Sequence, residues 1–154
     1  MSAMSEPTIQ VGRVISHRLT QTLRTDAIVT GILGPGAKPD LELRRWDQTT
    51  NVLLLVPLVK HKVNCVISEI AWDWLLPEEI AEMPSLAVGQ SVAYFEVGGA
   101  YHEAIVTAKN DATLLPPLEL LYWDVTAGQE VRVPTVSHRE IVGLTVANWR
   151  GLNE

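Results

Sequence analysis

The sequence predicts a mainly-β protein built from two small barrels in tandem, and two observations predict it. The chain repeats itself: residues 27–61 align with residues 104–138 at an offset of 77 without a gap, and 15 of the 35 pairs are identical. Each copy also consists of short strand-like runs separated by turn signals, with little helical periodicity. Since the offset is half of the 154-residue chain, one unit fills each half.

Most of the identities fall into three motifs. AIVT returns as AIVT, LEL and its following Trp-Asp pair return unchanged, and VPLVKH returns as VPTVSH. Two such units predict an approximate two-fold relation between the halves. We expect a flexible N-terminal arm over residues 1–10, a first barrel over 11–72, a linker with a short helix over 73–87, and a second barrel over 88–154.

Five short strands are predicted in each half. In the first half they lie near Val14–Thr20, Asp26–Ile32, Leu41–Trp46, Val52–Val59 and Val63–Ile67; in the second, near Ser91–Val97, Ala100–Lys109, Leu118–Trp123, Glu130–Val136 and Arg139–Val146. Five antiparallel strands in a unit this small favour an SH3-like or Tudor-like barrel, because closure removes exposed edges. The linker run Trp74–Met83 has the proline and acidic start typical of a helix.

Two further features constrain the strands. Pro57 and Pro134 occupy matching places late in a strand and predict an edge or a bulge, since proline cannot donate to a ladder. Shared apolar identities predict burial, and they are Ile28, Leu43, Val56, Ile105, Leu120 and Val133.

Composition narrows the classes of function. A net charge of −6 without a basic run argues against a nucleic-acid partner. No apolar run reaches the roughly 18 residues of a membrane span, and the first residues lack the features of a secretory signal. Cys65 is the one cysteine, so no internal disulfide is expected.

Candidate chemical residues are few. In the pairs Trp46-Asp47 and Trp123-Asp124, aspartate is expected to open a turn and tryptophan to close a barrel end. His61 and His138 match across the repeat, and we interpret them as structural because a zinc site needs three or four ligands. His102 and Glu103 are adjacent on a strand and therefore point to opposite faces. No catalytic residue, metal or cofactor is predicted.

The motif set resembles that of small proteins encoded by tailed bacteriophages and prophages. The matching positions are Ala27–Thr30, Leu43, Val56-Pro57, His61 and Trp72, with Ala104–Thr107, Leu120, Val133-Pro134, His138 and Trp149. Glu42 and Glu119 stand where those proteins carry asparagine, and those proteins generally hold one copy. The resemblance implies a phage structural protein, made in the host cytoplasm and carried in the virion.

The sequence therefore predicts a non-enzymatic capsid decoration protein that binds the major capsid protein or another virion protein, as a homo-oligomer or bound to a lattice. The predicted partner-binding residues are Ser5, Glu6, Pro7, Arg44, Arg45, Trp46 and Trp123. Two alternatives remain open at this point. One is a Tudor-like module that holds a peptide or small ligand at exposed Trp46 and Trp123. The other is a small enzyme that brings His102, Glu103 or His138 together in a cleft between the halves.

Overall fold

A computed structural model describes residues 9–19, 23–62, 71–75, 86–109, 115–143 and 145–152. The first half forms β1 (Val14–Arg18), β2 (Arg24–Ile32), β3 (Leu41–Asp47), β4 (Val52–His61) and β5 (Ala71–Asp73). The second half forms β6 (Ser91–Phe95), β7 (Tyr101–Lys109), β8 (Leu118–Asp124), β9 (Gln129–His138), the single-turn helix α1 (Arg139–Val142) and β10 (Asn148–Arg150). Each half closes into a five-stranded barrel.

The two barrels share one topology and one register. Val14 pairs with Ile28 in the first barrel, as Ser91 pairs with Ile105 in the second. In both barrels the last strand pairs antiparallel with the first and parallel with the fourth, so His61 lies beside Trp72 as His138 lies beside Trp149. The predicted mainly-β fold of two tandem barrels is confirmed, with one parallel pairing in each barrel that the sequence analysis did not foresee.

The matched prolines lie in bulges, as predicted. Opposite Leu41 and Leu43 of β3, β4 places Val59 and Val56, so β4 carries one extra residue at Pro57 and Leu58. The same shift occurs between β8 and β9 around Pro134. The bulge accommodates a residue that has no N–H to give to the ladder.

One predicted strand differs from the structure, and another lies outside the described residues. Residues Arg139–Val142 form the turn of helix α1 where a last strand was predicted, and the strand itself comes later, at Asn148–Arg150. The His138 side chain explains the helix, because its Nδ1 accepts a hydrogen bond from the Glu140 N–H at 3.0 Å and caps the turn. The predicted strand Val63–Ile67 lies outside the described residues, as do the arm up to Thr8, Cys65 and most of the linker helix.

Each barrel has its own apolar interior. Ile15, Val29, Leu43 and Trp72 belong to the first, and Val92, Val106, Leu120 and Trp149 to the second. Of the six positions predicted to be buried, Ile28, Leu43, Ile105 and Leu120 are fully buried. Val56 and Val133 are only partly buried, because each adjoins the bulge at the following proline.

A third cluster of buried residues joins the two barrels. It combines Val14, Ile28 and Trp46 of the first half with Ile105, Leu121 and Trp123 of the second. These residues lie on the outer faces of their strands, since their neighbours Ile15, Ala27 and Ala104 point into the barrels. The matched residues Ile28 and Ile105 therefore pack in the contact between the halves and not in the interior of either barrel.

Polar contacts across this interface are exchanged between matching positions. The Val14 N–H donates to Oε1 of Glu103 at 2.6 Å, and the Ser91 N–H donates to Oδ2 of Asp26 at 2.8 Å. Because Asp26 matches Glu103 and Val14 matches Ser91, each half gives the other the same bond. Reciprocal contacts of this kind are the mark of a two-fold relation.

Two matched glycines shape the same interface. Gly12 and Gly89 have φ of +97° and +95°, which side chains rarely adopt. A Cβ on Gly12 would lie 3.3 Å from Cγ2 of Val125, and a Cβ on Gly89 would lie 3.2 Å from Nε2 of Gln48. Gln48 and Val125 occupy matching positions in the two halves, so each half packs the same turn against the opposite half.

We predict that Glu103→Ala lowers the free energy of unfolding by about 1–3 kcal/mol, because the Val14 N–H then loses its acceptor in a part-buried place. Urea denaturation followed by far-UV circular dichroism measures the change. Glu140→Ala, at an exposed position outside the interface, should alter stability by no more than about 0.5 kcal/mol. Equal effects of the two substitutions would contradict the assignment.

Candidate functional site

The predicted residues Trp46, Trp123 and Arg44 meet in the interface between the barrels. Trp46 is 5% exposed and Trp123 is 8% exposed. The guanidinium carbon of Arg44 lies 4.6 Å from the ring centroid of Trp123, and that of Arg132 lies 5.1 Å from the ring of Trp46. Each tryptophan is thus covered by an arginine of the opposite barrel, in a cation–π contact within the chain.

The two arginines reach equivalent places from different strands. In the first barrel Arg44 of β3 pairs with Leu55 of β4, whereas in the second Leu121 of β8 pairs with Arg132 of β9. Arginine and leucine have exchanged strands between the repeats. Burial of both tryptophans counts against a Tudor-like cage that would hold a ligand between exposed rings.

The aspartates after these tryptophans open turns, as predicted. Oδ1 of Asp47 accepts a hydrogen bond from the Thr49 N–H at 3.0 Å, and Oδ1 of Asp124 accepts one from the Thr126 N–H at 3.0 Å. The hydroxyl of Thr50 donates to Oδ2 of Asp47 at 2.8 Å and keeps the pKa of Asp47 below its ordinary value. These contacts give the aspartates a structural role.

Arg45 lies at one end of the first barrel, beside His17. Alternation along β1 and β3 places both side chains on the same faces as Ile15 and Leu43, which point inward. His17 is 2% exposed, and neither of its ring nitrogens has a hydrogen-bond partner among the described residues. Burial lowers the pKa of His17 to about 4, and the charge of Arg45 acts in the same direction. The imidazole is therefore neutral at pH 7.

The matching end of the second barrel is filled by aromatic rings. Tyr94, His102 and Tyr122 stand where the first barrel has His17, Thr25 and Arg45. The ring of His102 stacks on Tyr122 with centroids 3.9 Å apart, and Nε2 of His102 lies 3.1 Å from Oε2 of Glu96. Burial and the charge of Glu96 raise the pKa of Tyr122 to about 12. His102 is thus engaged in closing the barrel.

His61 and His138 each pack edge-on against the tryptophan of the last strand. The ring centroids of His61 and Trp72 are 4.5 Å apart, and those of His138 and Trp149 are also 4.5 Å apart. Burial lowers the pKa of His61, although Nε2 lies 3.3 Å from Oδ1 of Asp73. No group of three or more metal-ligating side chains occurs among the residues that the structure describes.

An open pocket of about 410 Å³ lies at one side of the interface. Its lining combines Gln10, Val11, Gly12, Arg13, Tyr101, His102, Glu103, Trp123 and Val125. Glu103 and His102 both border it, but His138 does not. Oε1 of Glu103 holds the Val14 N–H, while His102 bonds Glu96, so the two adjacent side chains engage different partners. The three residues of the enzyme hypothesis are not gathered in this pocket.

β4 exposes large apolar side chains at positions where β9 exposes polar ones. Val52, Leu55 and Leu58 are 43%, 50% and 54% exposed. The matching residues of β9 are Gln129, Arg132 and Thr135, which are also exposed. The barrels are therefore alike inside and chemically different on this strand.

The expectation that Trp46 and Trp123 close a barrel end was wrong, because the structure buries them between the two barrels. The sequence analysis also did not recognise the exposed leucines of β4 as a surface. A comparison of the two repeats at positions where they differ would have found this surface. The predicted residues Ser5, Glu6 and Pro7 lie outside the described part of the chain. Within that part, no helix has the length and apolar character needed to cross a membrane.

Comparisons with known proteins add nothing to this geometry: no family model, curated protein or solved structure matches the chain.

The free energy of unfolding should fall as the pH drops from about 6.5 toward 4. In this range His17 binds a proton in the unfolded chain but stays neutral in the folded protein, because burial lowers its pKa to about 4. The lowered pKa means that this contribution is fully present above pH 6.5 and is lost as the pH approaches 4. His17→Leu should reduce the difference in unfolding free energy between pH 7 and pH 5, measured by urea denaturation. If the variant and the wild type lose equal stability, His17 is not the group responsible.

Proposed function

We propose that this chain is a non-enzymatic structural protein of a bacteriophage virion, a decoration protein that attaches to the capsid lattice. The observation that carries the attachment is the apolar surface of β4. The phage assignment rests on the resemblance of the AIVT, valine-proline-histidine and tryptophan motifs. In the structure the residues of these motifs serve mainly to form the barrels.

The exposed residues of β4 have the character of a contact surface. Leu55 and Leu58 each leave about half of a large apolar side chain in water, beside the exposed Pro57. Burial of apolar area is worth about 25 cal/mol per Å², so covering these side chains would favour association. The second barrel shows that the fold does not require them, because Arg132 and Thr135 hold the same positions.

A decoration protein must hold its shape while it binds, and the rigid elements of this chain meet that need. The barrels close on themselves and leave few free strand edges. Trp46 and Trp123 are occupied within the chain, so we assign attachment to β4 and not to the tryptophans. The two barrels then contribute unequally, with the first making the apolar contact.

The experiment replaces Leu55 and Leu58 together, as Leu55→Gln with Leu58→Thr, and measures co-sedimentation with capsids that lack the protein. Loss of two half-exposed apolar contacts should weaken binding about 10-fold or more. Far-UV circular dichroism should show an unchanged fold, since polar residues occupy the matched positions of β9.

The control is Ile141→Thr, which removes an apolar side chain that is 62% exposed on helix α1. Its binding to capsids should equal that of the wild type. Failure of the wild-type protein to sediment with capsids would overturn the proposed function. Retention of full binding by the double variant would overturn the role of β4.

A further inference from the structure

A cluster of arginine and aromatic side chains lies at one end of the second barrel. We name it the Phe95 patch and define it by Phe95, Tyr101, Arg13, Arg139 and Arg150. The guanidinium carbons of Arg139 and Arg150 lie 4.6 Å and 5.4 Å from the ring centroid of Phe95. The ring of Tyr101, which is 49% exposed, lies 5.2 Å from that of Phe95.

The patch continues into the pocket at the interface. Tyr101 and Arg13 both line the pocket, and the charges of Arg13 and Arg150 both act on the Tyr101 hydroxyl. Burial and Glu103 nevertheless raise the pKa of Tyr101 to about 12, and its neutral hydroxyl donates to Oε2 of Glu103 at 3.3 Å. Arg139 and Arg150 thus lie over Phe95, while Arg13 and Arg150 act on the neighbouring Tyr101.

These cations lack close carboxylates within the described part of the chain. No carboxylate lies within 4.0 Å of Arg139 or Arg150, and Arg13 reaches Glu103 only at 4.0 Å. The buried Nε atoms of Arg13 and Arg150 have no hydrogen-bond partner there. Nε of Arg139 donates to Oδ1 of Asn148 at 3.2 Å, which fixes that side chain.

In the first barrel Arg18 and Arg24 stand at the positions of Phe95 and Tyr101, so the equivalent place there has no aromatic ring. Lys62 and Asp73 stand where the second barrel has Arg139 and Arg150, and Nζ of Lys62 lies 2.7 Å from Oδ2 of Asp73. An ion pair in one barrel is thus replaced by two positive charges in the other. The two arginines repel each other, and a bound anion would relieve that repulsion.

We infer that the Phe95 patch binds the carboxylate side chains of an acidic segment in a partner protein. A guanidinium that rests on a ring keeps the N–H groups at its edge free for a bidentate carboxylate. Two arginines match one or two carboxylates, and Tyr101 offers the adjoining apolar contact. A nucleic-acid duplex presents about one charge per 1.7 Å and needs a longer basic footprint than these three arginines provide.

The inference is independent of the proposed function, because it concerns a different barrel and a different kind of contact. It would stand if β4 bound nothing, and it would fail without touching the role of β4.

The test titrates capped hexaglutamate into the full-length protein at low salt and follows the arginine side-chain Nε–Hε signals by NMR. The signals of Arg139 and Arg150 should move, and those of Arg18 and Arg132 should not. Arg150→Gln and Arg139→Gln should each weaken binding about three-fold or more, the size of one partly exposed ion pair. Thermal unfolding of each variant checks the fold.

Lys62→Gln is the matched control, since it removes one positive charge from the equivalent place in the first barrel. It should leave hexaglutamate binding unchanged. Equal weakening by Lys62→Gln, or no shift of Arg139 and Arg150 in the wild type, would overturn the inference. Tighter binding of a single-stranded hexanucleotide than of hexaglutamate would overturn the assignment of the partner to protein.

Discussion

Contact between the two barrels is the constraint on which the rest of this structure depends. A unit of this size buries little surface by itself, and here each barrel covers the other with outward-facing residues, among them Ile28 and Trp46 in the first barrel and Ile105 and Trp123 in the second. Asp26 and Glu103 complete the contact by accepting an N–H of the opposite half. The two halves of the duplicated sequence therefore form one protein in which each barrel covers the apolar surface of the other.

This constraint explains why the repeats agree where they do and differ elsewhere. Identical residues maintain the barrels, the bulges and the apolar interface. The repeats differ even within the interface, because Arg44 and Arg132 cover the two tryptophans from strands that do not match. Surfaces outside the contact have diverged. Leu58 of β4 stands where β9 has Thr135, and Arg139 and Arg150 stand where the first barrel has the ion pair of Lys62 and Asp73. Function in this protein is to be sought in those differences.

Much of the fold could be predicted from the sequence, because each strand occurs in two copies whose patterns could be compared. Pro57 and Pro134 predicted bulges for a local reason, the missing N–H. The partners of a side chain could not be predicted in the same way. Trp46 and Trp123 look like a binding site in sequence, and only their packing shows that each meets an arginine from the far half. Helix α1 was missed because its start depends on the His138 side chain, whereas alternation alone favours a strand.

Native-state hydrogen exchange at the amides of Val14 and Ser91 tests the central claim most directly. Both amides lie at the start of a barrel's first strand and donate to a carboxylate of the other barrel. If the interface holds the protein together, both should exchange as slowly as the amides inside the barrels, through a single global opening. Rapid exchange at Val14 and Ser91, while Val29 and Val106 remain protected, would show that the barrels separate freely and would contradict the account.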